Sequence, residues 1–205
     1  MNFQVAEGNP KNIFSAKFFT RRIIVALPAY IRAPHPKTGI LPDPSSIKRI
    51  LDQGWVGQLK IHGHRCQLHI PATGNKIIAY NRQGKPHALP VAPKIVDEIL
   101  RLFQPRTGWN VVDAEWLKPE EKIFVFDFLK QDDVLLNKLP YPQRWEKLPR
   151  AYLSPHLQTL PLVRDLKGCL AALESTDDKI EGLVFKSLTR PGFADTSIIR
   201  CRKRK

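Results

Sequence analysis

The sequence predicts an α+β domain in which antiparallel sheets are flanked by helices. Three observations carry this: stretches of period-two alternation, tight-turn residues between them, and apolar residues at helical spacing in segments set between the strands. At 205 residues, 42% hydrophobic and 25% charged, the chain has an ordinary globular composition and is long enough for one well-cored domain with a small appendage.

Residues 1–45 are rich in turn formers, including Pro34, Pro36, Gly39, Pro42 and Pro44, and read as an irregular arm with one strand at 22–27. Ser45 or Ser46 is placed to cap a short helix over 47–52, which Gly54 ends. From 55 to 80 the pattern turns to period two, with turn signals at Gly63 and at Thr73-Gly74-Asn75. Three antiparallel strands follow from this, and Lys60 then stands beside a hairpin turn. A helix is predicted over 91–103, where Ile95, Val96, Ile99, Leu100 and Phe103 share one face. Strands at 111–117 and 122–128 join through Lys118-Pro119-Glu120-Glu121. Residues 144–148 and 162–173 read as helices, and 181–187 and 197–202 as closing strands. The domain proper is thus set at 46–205.

Lysine and arginine total 33 against 19 acidic residues, a formal charge of +14. Such an excess favours a polyanionic partner, because each neutralised phosphate releases condensed counterions. Part of it lies in the run Arg200-Cys201-Arg202-Lys203-Arg204-Lys205, and charge for solubility alone is the plainer alternative. Cys66, Cys169 and Cys201 are far apart and form no CxxC pair, so neither a disulfide framework nor a zinc site is expected, and a cytoplasmic setting fits. The apolar run 23–27 behind Arg21-Arg22 is too short for a membrane span and is interrupted by Pro28, so neither export nor membrane insertion is expected.

The chemistry starts at Gln58-Leu59-Lys60-Ile61-His62-Gly63-His64-Arg65. A lone K-x-x-G-x-R is a weak signal, but four further stretches follow it. These are Tyr80-Asn81-Arg82-Gln83-Gly84-Lys85, Val112-Asp113-Ala114-Glu115-Trp116-Leu117, Phe124-Val125-Phe126-Asp127-Phe128-Leu129 and Glu181-Gly182-Leu183-Val184-Phe185-Lys186, before the close on Arg200-Cys201-Arg202. Singly, each has a bland reading. Phe126 suits a core and Glu115 a solvated strand. Arg82 and Lys85 suit an exposed turn, the terminal arginines a basic tail, and His62 and His64 polar surface. In order, they resemble the covalent nucleotidyltransferases: ATP-dependent DNA ligases, RNA ligases and mRNA capping enzymes, whose signature runs K-x-D-G-x-R, S-R-x-G, D-G-E, F-D-x-L, E-G-L-V-x-K and K-x-K. The resemblance spans Gln58 to Arg202 and implies a nucleotidyltransferase domain, ATP-grasp-like in build.

The resemblance also implies roles. Lys60 would attack the α-phosphate of ATP and hold AMP as a phosphoramidate, with Ile61 beside it in the nucleotide site. Gln58, on the same strand face, would read the adenine amino group, where DNA ligases often carry Glu. Arg65 would steady the ribose or the incoming phosphate, and Arg82 would meet the 5′-phosphate end of the nucleic acid. Glu115 would bond the ribose hydroxyl or assist a metal, Phe126 would stack on adenine, and Glu181 would help hold Mg²⁺. Lys186, Arg200 and Arg202 would surround the α-phosphate and pyrophosphate. The chemistry agrees: an amine attacks only through its lone pair, and clustered cations both favour the neutral amine and stabilise a departing pyrophosphate.

Three departures from the family pattern matter. His62 replaces the aspartate of K-x-D-G, and K-x-H-G occurs among RNA ligases. The closing K-x-K is Arg200-Cys201-Arg202, which keeps charge but not a compact ammonium. No OB-fold domain is expected after it, although DNA ligases and capping enzymes usually continue into one. On the DNA side stand Arg82-Gln83-Gly84-Lys85-Pro86 and the Leu136-Asn137-Lys138-Leu139-Pro140 segment followed by Arg144, both similar to DNA ligase stretches. The implied function is an ATP-dependent polynucleotide ligase acting on nicked duplex DNA. RNA ligation, or a non-catalytic nucleic-acid-binding accessory, remains the alternative. A monomer is expected, with a partner protein as one source of the missing clamp.

Overall fold

The computed structural model describes residues 28–149 and 154–204. The elements run β1 (Gly39–Ile40), α1 (Pro44–Asp52), β2 (Trp55–Ile61), β3 (His64–Pro71), β4 (Ile78–Tyr80), α2 (Pro93–Phe103), β5 (Trp109–Leu117) and β6 (Lys122–Gln131). They continue through β7 (Val134–Leu135), α3 (Tyr141–Trp145), β8 (Leu157–Thr159), β9 (Leu162–Val163), α4 (Leu166–Glu174), β10 (Ile180–Ser187) and β11 (Ile198–Arg202). They form two sheets, one ordered β1-β11-β10-β2-β9 and the other β4-β3-β5-β6-β7, with β8 also paired to β6. The long pairings are antiparallel; only the short pairs β1 with β11 and β6 with β8 are parallel.

Period-two alternation divides every long strand between a core and a cleft. In the second sheet, Leu68 and Ile70 of β3, Val112 of β5 and Val125 of β6 are buried against Ile95, Ile99 and Phe103 of α2. In the first, Leu183 and Phe185 of β10 pack with Ile47 and Ile50 of α1 and Cys169 and Ala172 of α4. Helices therefore cover one face of each sheet. The alternate residues, Gln58 and Lys60, Arg65 and Gln67, Asp113 and Glu115, are left for the opposite faces.

Several expectations are corrected. The strands over 55–80 are not one antiparallel set, because β2 pairs with β10 and β9 while β3 pairs with β4 and β5. Gly63 thus marks a crossing between sheets and not a hairpin turn. The crossing runs hard against β5, since a Cβ at Gly63 would lie 3.0 Å from Glu115 Cγ, Leu117 Cδ2 and Trp116 O. The segment 162–173 begins as strand β9 and becomes helical only at Leu166, where Asp165 Oδ1 accepts from Gly168 N. The helix predicted at 144–148 starts at Tyr141, directly after Pro140. The strand expected at 22–27 lies outside the described residues.

Helix α1 is capped by Asp43 and not by either serine: its carboxylate accepts from Ser46 N at 2.9 Å and from Ser45 Oγ at 2.6 Å, with Pro44 in the first turn. Proline fixes φ for the first helical residue and lacks an N–H to satisfy, so the residue before it becomes the cap. Asp43→Ala is expected to lower the unfolding free energy by about 1 kcal/mol in urea titration.

Candidate active site

Every site residue singled out from the sequence lines one cleft of about 300 Å³, within the size range of small-ligand sites. Strand β2 supplies Gln58 and Lys60 on one face, and β10 opposes it with Gly182 across from Lys60 and Val184 across from Gln58. The ladder slips between Ile180 and Gly182. Gly182 has φ +142°, and a Cβ there would sit 2.1 Å from Cys201 O, so only glycine fits. Beside this slip, Glu181 meets the lysine: Lys60 Nζ donates to its Oε2 at 2.5 Å, His62 Nδ1 lies 2.7 Å from Oε1, and Arg202 approaches to 3.8 Å. Burial pushes the Glu181 carboxyl up, but the bonds from Lys60 and His62 outweigh it and hold the group below the usual carboxylate value.

The floor of the cleft is a polar knot. Lys186, 6% exposed, donates from Nζ to Gln58 Oε1 at 2.9 Å and to Phe126 O at 3.3 Å, and its Nζ lies 4.0 Å from the Tyr141 ring centroid. The Tyr141 hydroxyl stands 2.8 Å from Phe126 O and 3.0 Å from Gln58 Oε1, while Gln58 Nε2 donates to Leu160 O at 3.0 Å. Gln58 thus has its amide engaged at both ends by the protein itself. Desolvation pulls the Lys186 ammonium down to about 7; Arg144 and Arg65 pull the same way, against Asp127 and Asp113.

The second sheet contributes the opposite wall. Arg65 on β3 holds Asp113 of β5 through Nε and Nη2 and donates from Nη1 to Pro34 O at 3.0 Å. Its Cζ stands 5.9 Å from the Phe126 ring centroid, and Lys186 Nζ 4.8 Å from the same centroid, so two cations flank that ring. Glu115, paired in register with Arg65, has its carboxyl pushed up to about 7 by burial, with Asp113 and Glu181 adding to the effect against Lys60 and Arg65. Arg82, in the turn after β4, and Arg200, on β11, carry no ion pair among the described residues.

Among the described residues no cluster of three or more His, Cys, Asp or Glu side chains could hold a metal. Glu115 and Glu181 do face the cleft together, and one or two carboxylates completed by substrate phosphates is the donor set Mg²⁺ accepts. Tyr141, Asp113 and the stretch Pro34–His35–Pro36 were not singled out from the sequence. Asp113 had a signal, since it precedes Glu115 by two residues on one strand face. The proline-bounded stretches had none, because they carry no period.

No family profile and no curated protein matches the chain. Solved structures do. One described as “Pmar-Lig_Pre” superposes at a TM-score of 0.57 with 15% identity, over 83% of this chain and 46% of its own. Another, mycobacterial DNA ligase D complexed with ATP and MES, gives 0.54 with 17% identity, over 83% of this chain and 60% of that one. The chain thus spans about half the length of these structures. No helix among the described residues is long and apolar enough to cross a membrane. With two largely antiparallel sheets, flanking helices and a cleft, the chain is α+β and shares its fold with these structures, one of them a DNA ligase.

Proposed function

We propose that this chain is the adenylation unit of an ATP-dependent polynucleotide ligase, which joins a 5′-phosphate to a 3′-hydroxyl in nicked duplex DNA through a Lys60–AMP intermediate. The observation that carries this reading is the constellation around one amine. Lys60 sits against Glu181 in a cleft that also holds the Phe126 ring and two arginines, Arg82 and Arg200, with no ion pair among the described residues. Unpaired arginines in a concave site are hosts for phosphate.

In the first step Lys60 Nζ forms a bond to the α-phosphorus of ATP. The bond to the bridging oxygen breaks, and pyrophosphate leaves with that electron pair. The ammonium must first give up a proton to water, and Glu181, 2.5 Å away, holds the amine in position for attack. Arg200 and Arg202 supply positive charge where the pyrophosphate develops it. Glu115 and Glu181 are the side chains that would hold Mg²⁺, which adds charge at the departing phosphates when bound. The DNA preference is supported by the segment that resembles DNA ligases. Arg144 Nε and Nη2 each donate to a separate oxygen of buried Asp127 at 2.9 Å, and Nη1 donates to Leu139 O at 2.7 Å, tying that segment to the strand that carries Phe126.

The test is incubation of the purified chain with ATP labelled at the α-phosphate and Mg²⁺, followed by nicked duplex DNA or nicked RNA. Label on the protein that moves to DNA at least tenfold faster than to RNA is the expected result. Faster transfer to RNA would replace DNA with RNA as substrate, label from GTP alone would indicate capping-type chemistry, and no label with ATP binding intact would leave a non-catalytic nucleic-acid-binding protein.

A further inference from the structure

The cleft has a rim that no motif marks. Residues 28–38 have no regular secondary structure and are fastened to both sheets. On the second sheet Gln67 pairs with the backbone as a strand would: Ile31 N donates to its Oε1 and its Nε2 donates to Ile31 O, both at 2.9 Å. Gln67 is 1% exposed, and buried His69 sets its orientation by donating from Nε2 to the same Oε1 at 2.8 Å. Arg65 grips the next residues through Pro34 O at 3.0 Å. On the other side His35 N donates to Asp195 Oδ1 at 3.0 Å, Lys37 Nζ pairs with Oδ2 at 2.7 Å, and Arg200 N donates to Thr38 O at 3.1 Å. The strap is therefore specified from both ends. Pro34 and Pro36 restrict the backbone between them, and His35 is left exposed on the cleft wall.

We propose that His35 is a further substrate-contacting residue, whose imidazole donates to a phosphate oxygen of the polynucleotide end that arrives at Arg82. This rests on the ligase reading. The charged groups that act on His35 come from four places: Arg65 on β3, Arg82 in the turn after β4, Lys60 on β2 and Asp195 before β11, and Arg32 and Lys37 of the strap act in turn on Asp195. Lys60 and Arg65 already have carboxylate partners, whereas Arg82 has none among the described residues. Burial, with Arg65, Arg82 and Lys60, keeps the ring below the ordinary histidine value against Asp195, so it is neutral in the free protein at neutral pH. A phosphate dianion between His35 and Arg82 reverses that field, and the protonated ring then donates a charge-assisted bond. The place in the cleft also distinguishes the source of the phosphate. Gln58 and Lys186 are buried at the floor, while His35 and Arg82 are exposed at the rim, where an incoming strand end is met before a bound nucleotide is.

The full chain with His35→Asn tests this, because the bond to Asp195 comes from the backbone and survives the change. Labelling by ATP is expected to stay within about twofold. Transfer of AMP from the labelled protein to a nicked duplex bearing a 5′-phosphate is expected to fall at least tenfold at pH 6.5, and the ratio of wild type to variant to shrink as pH rises to 8.5. Equal transfer by both proteins overturns the proposal. So does an equal loss of labelling, which would assign His35 to the nucleotide or to the strap alone. If the wild type takes no label the ligase reading fails, and His35 is then tested by binding alone. Wild type should prefer 5′-phosphorylated over 5′-hydroxyl nicked duplex several-fold in anisotropy titrations, and His35→Asn should lose that preference; no difference between the proteins overturns the contact.

Discussion

Lys60→Ala is expected to abolish transfer of label from ATP to the protein, by at least a thousandfold in a gel assay, and Lys60→Arg to abolish it as completely. The two variants fail for different reasons, which makes the pair informative. Alanine removes the amine. Arginine keeps the cation and can keep the partner Glu181, but a guanidinium does not deprotonate in proteins and offers no lone pair to phosphorus. ATP affinity is expected to change by less than about fivefold in either, since the ring of Phe126 and the arginines of the cleft remain. Label that persists in Lys60→Ala would place the covalent link elsewhere, and Lys186 is the other lysine on the cleft wall among the described residues. The two amines are differently placed for the task. The Lys60 side chain is 21% exposed on a carboxylate, whereas Lys186 is 6% exposed and held by Gln58.

The strand content of this cleft was legible because period two is a local property. Gln58 with Lys60, and Asp113 with Glu115, stand two apart and must share a face in any strand. The partner of a strand is not a local property. Lys60 read as a hairpin lysine because Gly63 follows it, yet its neighbour across the ladder is Gly182, and the chain leaves for the other sheet at Gly63. The same limit governs Leu162 and Val163, two apolar residues that suit the start of a helix until Gly57 and Gln58 are found beside them. It governs Lys186 as well. The resemblance implied a phosphate ligand, but the structure sets the ammonium at the floor with Gln58, Tyr141 and Phe126 O, a burial that arises from three strands and a helix distant in sequence. His35 and Gln67 were illegible for a related reason, because a strap held by side chains scattered over both sheets leaves no repeat for periodicity to find.

That burial has a measurable consequence, because Lys186 and Glu115 oppose folding over overlapping ranges of pH. Glu115 has a folded pKa of about 7 against an ordinary 4.5, so the folded state holds its proton more tightly. The stability this gives is complete below about 4.5 and is lost as pH rises through 7. Lys186 has a folded pKa of about 7 against an ordinary 10.5, so its stability is complete above 10.5 and is lost as pH falls through 7. Near pH 7 both groups therefore stand close to their full cost, on the order of 3 kcal/mol for Glu115 and 4 kcal/mol for Lys186, a large part of the ~5–15 kcal/mol typical of a domain. Lys186→Met replaces the ammonium with an apolar chain of similar length and leaves Gln58 Oε1 the Tyr141 hydroxyl. It is expected to raise the unfolding free energy by about 4 kcal/mol at pH 6, with the gain fading towards pH 10. Glu115→Gln is expected to do the reverse, gaining about 2–3 kcal/mol at pH 8 and nothing near pH 4.5. Urea titrations at pH 5, 7 and 9 read both, and a gain that does not change with pH would show that neither group carries this burden. Both variants are also expected to lose labelling by ATP, because a cleft built to take nucleotide charge keeps groups that the empty fold would be more stable without.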